Sequence, residues 1–147
     1  MRNFLFKMVM MLTLTIASQN VLGQQSVKSW ESVLNAIIKV ESKGNPKAVD
    51  KSGTCVGILQ IKKCLVDETN NILKQKKDKR RFTYADRYNP QKSKEMFAIL
   101  QNHFNPQHNN EKAIRSWNLG FYYEKKYGKA AFNRKSQGYY NKVKKYL

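Results

Sequence analysis

The chain is 147 residues long, with 28 Lys and Arg against 10 Asp and Glu and a formal net charge of +18. That length gives room for one domain. The charge selects anionic partners, which for an exported chain are cell-wall polymers, membrane surfaces or extracellular nucleic acid.

The first 23 residues read as a signal peptide. Arg2 and Lys7 supply the basic start, "MVMMLTLTIA" is an apolar core of about ten residues, and Val21, Leu22 and Gly23 form a small-residue cleavage site. A membrane anchor needs roughly 20 unbroken apolar residues, and Ser18, Gln19 and Asn20 interrupt the run. Gln24 follows the cleavage site where a lipoprotein would carry Cys. The expected product is an exported, periplasmic or secreted protein of one domain, residues 24–147, without a transmembrane segment. Losing Arg2 and Lys7 takes the 28 basic residues to 26 against 10 acids, near +16.

The next stretch, "SWESVLNAIIKVES", places Trp30, Val33, Leu34, Ile37 and Ile38 on one face of a 3.6-period helix. Ser29 is its expected N-cap, and Gly44 and Pro46 are stop signals. Glu41 falls on the same apolar stripe, in the last turn. There a carboxylate faces both the packed side of the domain and the negative end of the helix dipole. Both disfavour its charged form and raise its pKa, as a general acid near neutral pH requires.

"SKGNPKAVDKSGTCVG" is rich in Gly, Pro, Asn and Ser and reads as a loop. "ILQIKKCLVDETNNILKQ" predicts one or two short helices. "KQKKDKRR", residues 74–81, reads as a solvated, flexible loop. Nucleic-acid binding is not expected, because no recognised module accompanies the charge. Pro90 opens a helix that spaces Met96, Phe97, Leu100 and Phe104. Another carries Ala113, Ile114, Trp117 and Phe121, with Gly120 breaking or kinking it. The last segment sets Tyr139, Tyr140, Val143 and Leu147 on one face. No period-2 strand or repeat appears, so the expected fold is all-α and a single compact domain.

Cys55 and Cys64 are the two cysteines, and in an oxidising compartment they read as a disulfide closing a short loop around Gly57 to Gln60. Two separate buried thiols are the alternative. His103 and His108 stand in a polar stretch without Cys or paired acids nearby, which speaks against a metal site and against Ser-His or Cys-His catalysis. No cofactor is expected.

"ESKGNPKAVDKSGTCVGILQI" resembles the signature of soluble lytic transglycosylases, the lysozyme-like domains that cleave peptidoglycan strands. That pattern sets Glu-Ser before Asn-Pro, Ala, Gly and Gly-Leu-Met-Gln. The matching residues here are Glu41 and Ser42, Asn45 and Pro46, Ala48, Gly53, and Gly57 to Gln60. "AIRSWNLG" is similar to the family's Ala-x-x-Tyr-Asn-Ala-Gly element, with Trp117 in the tyrosine place and Asn118 matching. "DRYNPQKSKEMFAIL" resembles the segment between those two elements. "SQGYYNKV" resembles the terminal element, placing Tyr139 on the family's tyrosine and Gln137 where arginine is usual. The likeness covers roughly residues 29–145.

The resemblance implies a one-acid mechanism on the MurNAc-GlcNAc β-1,4 bond. Glu41 would protonate the departing glycosidic oxygen, then take the proton from the MurNAc C6 hydroxyl, closing a 1,6-anhydro ring without water. It implies that Ser42 orients the acid, that Gln60 and Asn118 bind sugar N-acetyl and hydroxyl groups, and that Tyr139 stacks on sugar or bonds to Glu41. An ordinary glycosidase needs two carboxylates, and the nearest other acids, Asp50, Asp67 and Glu68, have no spacing that sets them opposite Glu41. The expected partners are peptidoglycan glycan strands and anionic wall material, with the protein a monomer. Two alternatives stay open: a hydrolytic muramidase on the same bond, and a wall-binding protein without turnover.

Overall fold

Side-chain caps decide where the helices of the C-terminal half begin. Asn89 accepts a hydrogen bond from the Lys92 amide at 3.1 Å ahead of Pro90, whose fixed φ suits a first helical position. Asn109 accepts from the Lys112 amide at 2.8 Å. Thr83 and Asp86 form a reciprocal capping box over a 3-10 turn, Tyr84–Tyr88.

The computed structural model describes residues 24–147, and the signal peptide expected over residues 1–23 lies outside them. Residues 24–28 are helical, and from residue 31 onward six α-helices follow in order: α1 Glu31–Glu41, α2 Lys63–Gln75, α3 Pro90–Phe104, α4 Asn110–Leu119, α5 Tyr123–Tyr127 and α6 Lys129–Lys144. Among the described residues there is no strand. Two isolated bridges, Val49 with Val56 and Val56 with Ile61, fold the loop after α1 back on itself. The protein is all-α, and no described helix is long and apolar enough to cross a membrane.

The stripe read from α1 is the centre of the core. Trp30, Val33, Leu34 and Ile37 are buried, each of the larger side chains contributing roughly 1.5–3 kcal/mol by leaving water. They meet Leu59 and Ile61 from the loop, Val66 and Leu73 of α2, Met96 and Phe97 of α3, Ile114 of α4 and Val143 of α6. Helix α6 packs on α4 and α1, and α2 on α3. Gly120 ends α4 at φ +92°, a conformation that favours glycine.

Several expectations need correction. Ser29 does not cap α1: its hydroxyl donates to the Ser26 carbonyl at 2.8 Å, and Trp30, with no capping hydrogen bond, precedes the first turn. Residues 58–62 are not helical, because the bridges hold them as a tight turn and helix starts only at Lys63. Of the basic run, Lys74 and Gln75 end α2 and the rest is turn and coil. Arg80 clamps Asp78 at 2.7 Å and Arg81 donates to the Asp78 carbonyl at 2.7 Å, so neighbouring polar groups order the turn. His103 belongs to α3, and His108 lies flat against Trp30 with ring centroids 4.6 Å apart. Leu147 stands 52 % exposed beyond α6 and takes no part in the core.

Candidate active site

Glu41 is the last residue of α1, and its carboxyl opens into a cavity of about 340 Å³ that Gln60, Trp117 and Asn118 also line. Its walls come from the turn after Gly57, the start of α2 and the end of α4. Tyr139 on α6 donates its hydroxyl to Glu41 Oε1 at 2.5 Å. Burial pushes the Glu41 pKa above its ordinary value of 4.5, and the Tyr139 bond, which favours the charged form, only partly offsets it. Burial also drives the Tyr139 phenol far upward, so it remains a proton donor to the carboxylate at any working pH.

Gln60 adopts φ +50°, an unusual conformation for a residue with a side chain. Its amide compensates locally: Nε2 donates to the Gly57 carbonyl at 3.0 Å and the Ala48 carbonyl at 3.2 Å. Both amide protons are thereby used, and the side-chain oxygen is the group left for a ligand. Gln60 therefore sits on a turn and not on the following helix. At Gly57 the chain passes close to another segment: a Cβ there would lie 1.9 Å from the Arg87 carbonyl oxygen, and its φ is +76°. Close packing of backbone on backbone requires the glycine.

The remaining sequence-derived residues divide. Asn118 is exposed on the pocket wall. Trp117 packs on Phe97 with ring centroids 4.8 Å apart and donates its indole N–H to the Leu59 carbonyl at 3.2 Å, joining two of the walls. Ser42 lies outside the pocket lining. Its hydroxyl donates to the Ile58 carbonyl at 2.8 Å and accepts from the Gly44 amide, which fastens the end of α1 to the turn carrying Gln60. The other acids are engaged elsewhere: Asp50 accepts from Ser52 and the Cys55 amide, Asp67 from Tyr84, and Glu68 from Tyr122. Among the described residues lining the pocket, Glu41 is the one carboxylate.

Cys55 and Cys64 both line the pocket as free thiols, so the expected disulfide is absent from this structure. The closure it was to supply comes from main-chain pairing of Val56 with Ile61 and from the Gln60 amide. Burial pushes the Cys55 thiol up, away from a reactive thiolate.

Two buried arginines, unnoticed in the sequence, hold the walls in place. Arg87 reaches behind the Gln60 turn, donating to the carbonyls of Thr54 at 3.2 Å and Ile61 at 3.1 Å. Arg115 of α4 is 4 % exposed and donates to Glu111, the Asn133 carbonyl, Ser136 and Gln137. Its guanidinium lies 4.3 Å over the Tyr140 ring. It thereby fastens α4 to the turns of α6 flanking Tyr139. The signal was available: Arg115 stands beside the apolar Ile114, four residues after Glu111, where a helix face turns inward. Gln137 is read differently once this contact is seen, since it accepts from Arg115 at 2.9 Å.

The transglycosylase SLT domain family matches residues 22–140, nearly the whole described chain. The chain belongs to that family. Its family role is that of a lytic transglycosylase acting on peptidoglycan. No similar curated protein and no similar solved structure was found.

Proposed function

We propose that this family member cleaves the MurNAc-GlcNAc β-1,4 bond without water, leaving 1,6-anhydroMurNAc ends, with Glu41 as the single catalytic residue. The observation that carries this is a lone carboxyl, raised in pKa by burial, in a pocket whose other lining residues are neutral, thiol or basic. In its protonated form Glu41 donates to the glycosidic oxygen as the bond breaks. The resulting carboxylate, held by the Tyr139 hydroxyl, then accepts the proton of the C6 hydroxyl as that oxygen closes the ring. One group serves as acid and then base only if its pKa lies near the working pH. Gln60, through its oxygen, and Asn118 are the sugar-binding groups of this reading, and Ser42 supports the acid through the Ile58 turn. The protein acts outside the cytoplasm as a monomer.

The mass of the products tests the reading. Digestion of purified peptidoglycan should release fragments lighter by one water than reducing-end products. Reducing ends alone would replace the transglycosylase with a muramidase, and no release would leave a wall-binding protein. The basic surface is read as holding anionic wall material. Sedimentation with intact walls should therefore weaken as salt rises, since exposed charges are screened over about 8 Å at physiological ionic strength. Salt-independent binding would remove this part of the reading.

A further inference from the structure

We propose that the segment between Gly120 and Gly128 is a second sugar-binding surface, which takes the units of the glycan strand lying beyond the cleaved bond. This rests on the reading of the pocket as a glycan-cleaving site. The segment, "FYYEKKY", carries four aromatic residues in seven, yet α5 within it has no buried residue. Tyr122 is 58 % and Tyr127 53 % exposed. Phe121 and Tyr123 lean on the body of the domain, while Tyr122 and Tyr127 stand out from it, and exposed aromatics clustered in this way mark a binding surface.

The rings are nevertheless held. Phe121 stacks on Phe104 at 4.7 Å, and Tyr122 meets Phe104 edge-on at 5.2 Å. The Tyr122 hydroxyl donates to Glu68 on α2 at 2.9 Å, which fixes the ring from its far end. Tyr123 packs on Tyr127 at 4.6 Å. Rings already immobilised lose little conformational freedom when a ligand covers them.

Position identifies the occupant. A shallow cavity of about 310 Å³ runs over this segment and shares Leu119, Gly120 and Phe121 with the pocket holding Glu41. A polymer seated for cleavage continues covalently past the reacting bond, and along this wall it passes onto the tyrosines. The apolar C–H faces of pyranose rings suit aromatic faces, while the phenol hydroxyls remain at the wet edge. Lys126, whose Nζ stands 5.1 Å over Tyr127, adds a cation beside any carboxylate the strand carries. A protein partner would have no reason to share a wall with the catalytic pocket.

The test measures binding in a Glu41→Gln background, where turnover does not intervene, using purified glycan strands of many units and a short fragment that fills the pocket alone. Adding Tyr122→Ala and Tyr127→Ala should weaken binding of long strands about tenfold, the loss of one to two ring contacts, and leave the short fragment unaffected. Tyr122→Phe with Tyr127→Phe keeps the rings and should bind long strands as the parent does. With Glu41 restored, the alanine pair should raise KM on long strands and leave kcat. Equal losses on both ligands, or none on long strands, would overturn the proposal. A melting temperature lowered by the double change transfers the same comparison to Tyr127→Ala alone, whose ring is 53 % exposed and makes no side-chain hydrogen bond among the described residues. If the Glu41→Gln protein itself still cleaves glycan, the acid assignment fails, while the length dependence of binding still decides the surface.

Discussion

Two regions hold the same chemical pair, a tyrosine hydroxyl donating to a carboxylate, and differ in what surrounds it. In the pocket, Tyr139 donates to Glu41 at 2.5 Å; on the outer face of α2, Tyr84 donates to Asp67 at 3.0 Å and Tyr122 to Glu68 at 2.9 Å. On the outer face the hydrogen bond is the main influence, and it raises the phenols of Tyr84 and Tyr122. In the pocket, burial dominates both partners and lifts Glu41 despite the bond. At Glu41 the bond alone favours the charged carboxylate. Only burial reverses that preference, and a proton donor is made where the two act against each other.

Removing the acid from each region separates them most. Glu41→Gln is expected to lower glycan cleavage by several orders of magnitude, because acid and base steps each contribute about 10² to 10⁴. Asp67→Asn, which changes the outer pair in the same way, should leave the rate unchanged. A Glu41→Gln protein cleaving at the parent rate would end the assignment.

The next largest effect comes from the phenol. Tyr139→Phe should cost about 10- to 100-fold in rate, as expected for a hydrogen bond to a charged group of about 1.5–3 kcal/mol. Because the Tyr139 bond lowers the Glu41 pKa, its loss should also move the basic limb of the pH-rate profile upward. A lower rate with an unshifted profile would mean that Tyr139 only fills space.

The smallest effect is on stability. Glu41 has a folded pKa raised above its ordinary value, so between those two values the folded chain binds more protons than the unfolded one. Its contribution must then fall as pH rises from about 4.5 through the folded pKa. Denaturant unfolding of the parent and of Glu41→Gln across this window should show the difference in stability shrinking or reversing in favour of Gln as pH rises. Parallel curves would show that burial does not act on Glu41.

Much of this was legible in the chain because it is local. A 3.6-residue period says which face of a helix is apolar, and it placed Glu41 on the buried stripe of α1 and Trp117 and Asn118 on one short helix. Pro90 likewise located the start of α3, since a first-turn proline acts within a few residues, whereas the Asn89 and Asn109 caps were seen only in the structure. The turn at residues 58–62 was misread as helix because its apolar residues suit either structure, and only the bridges to Val56 and Val49 decide. The two cysteines permitted a bond or free thiols; the spacing between them was silent, and the structure leaves both as free thiols.

What the sequence determined by itself was therefore the helical architecture, the place of Glu41 at the end of α1 and the family motif around it, all carried by near neighbours along the chain. What only the tertiary structure decided was what surrounds Glu41. Tyr139 lies 98 positions from Glu41, Arg115 reaches α6 across 18 to 22 positions, and Tyr122 reaches α2 across 54. Desolvation and hydrogen bonding depend on distance in space, which no pattern of spacing along a chain contains.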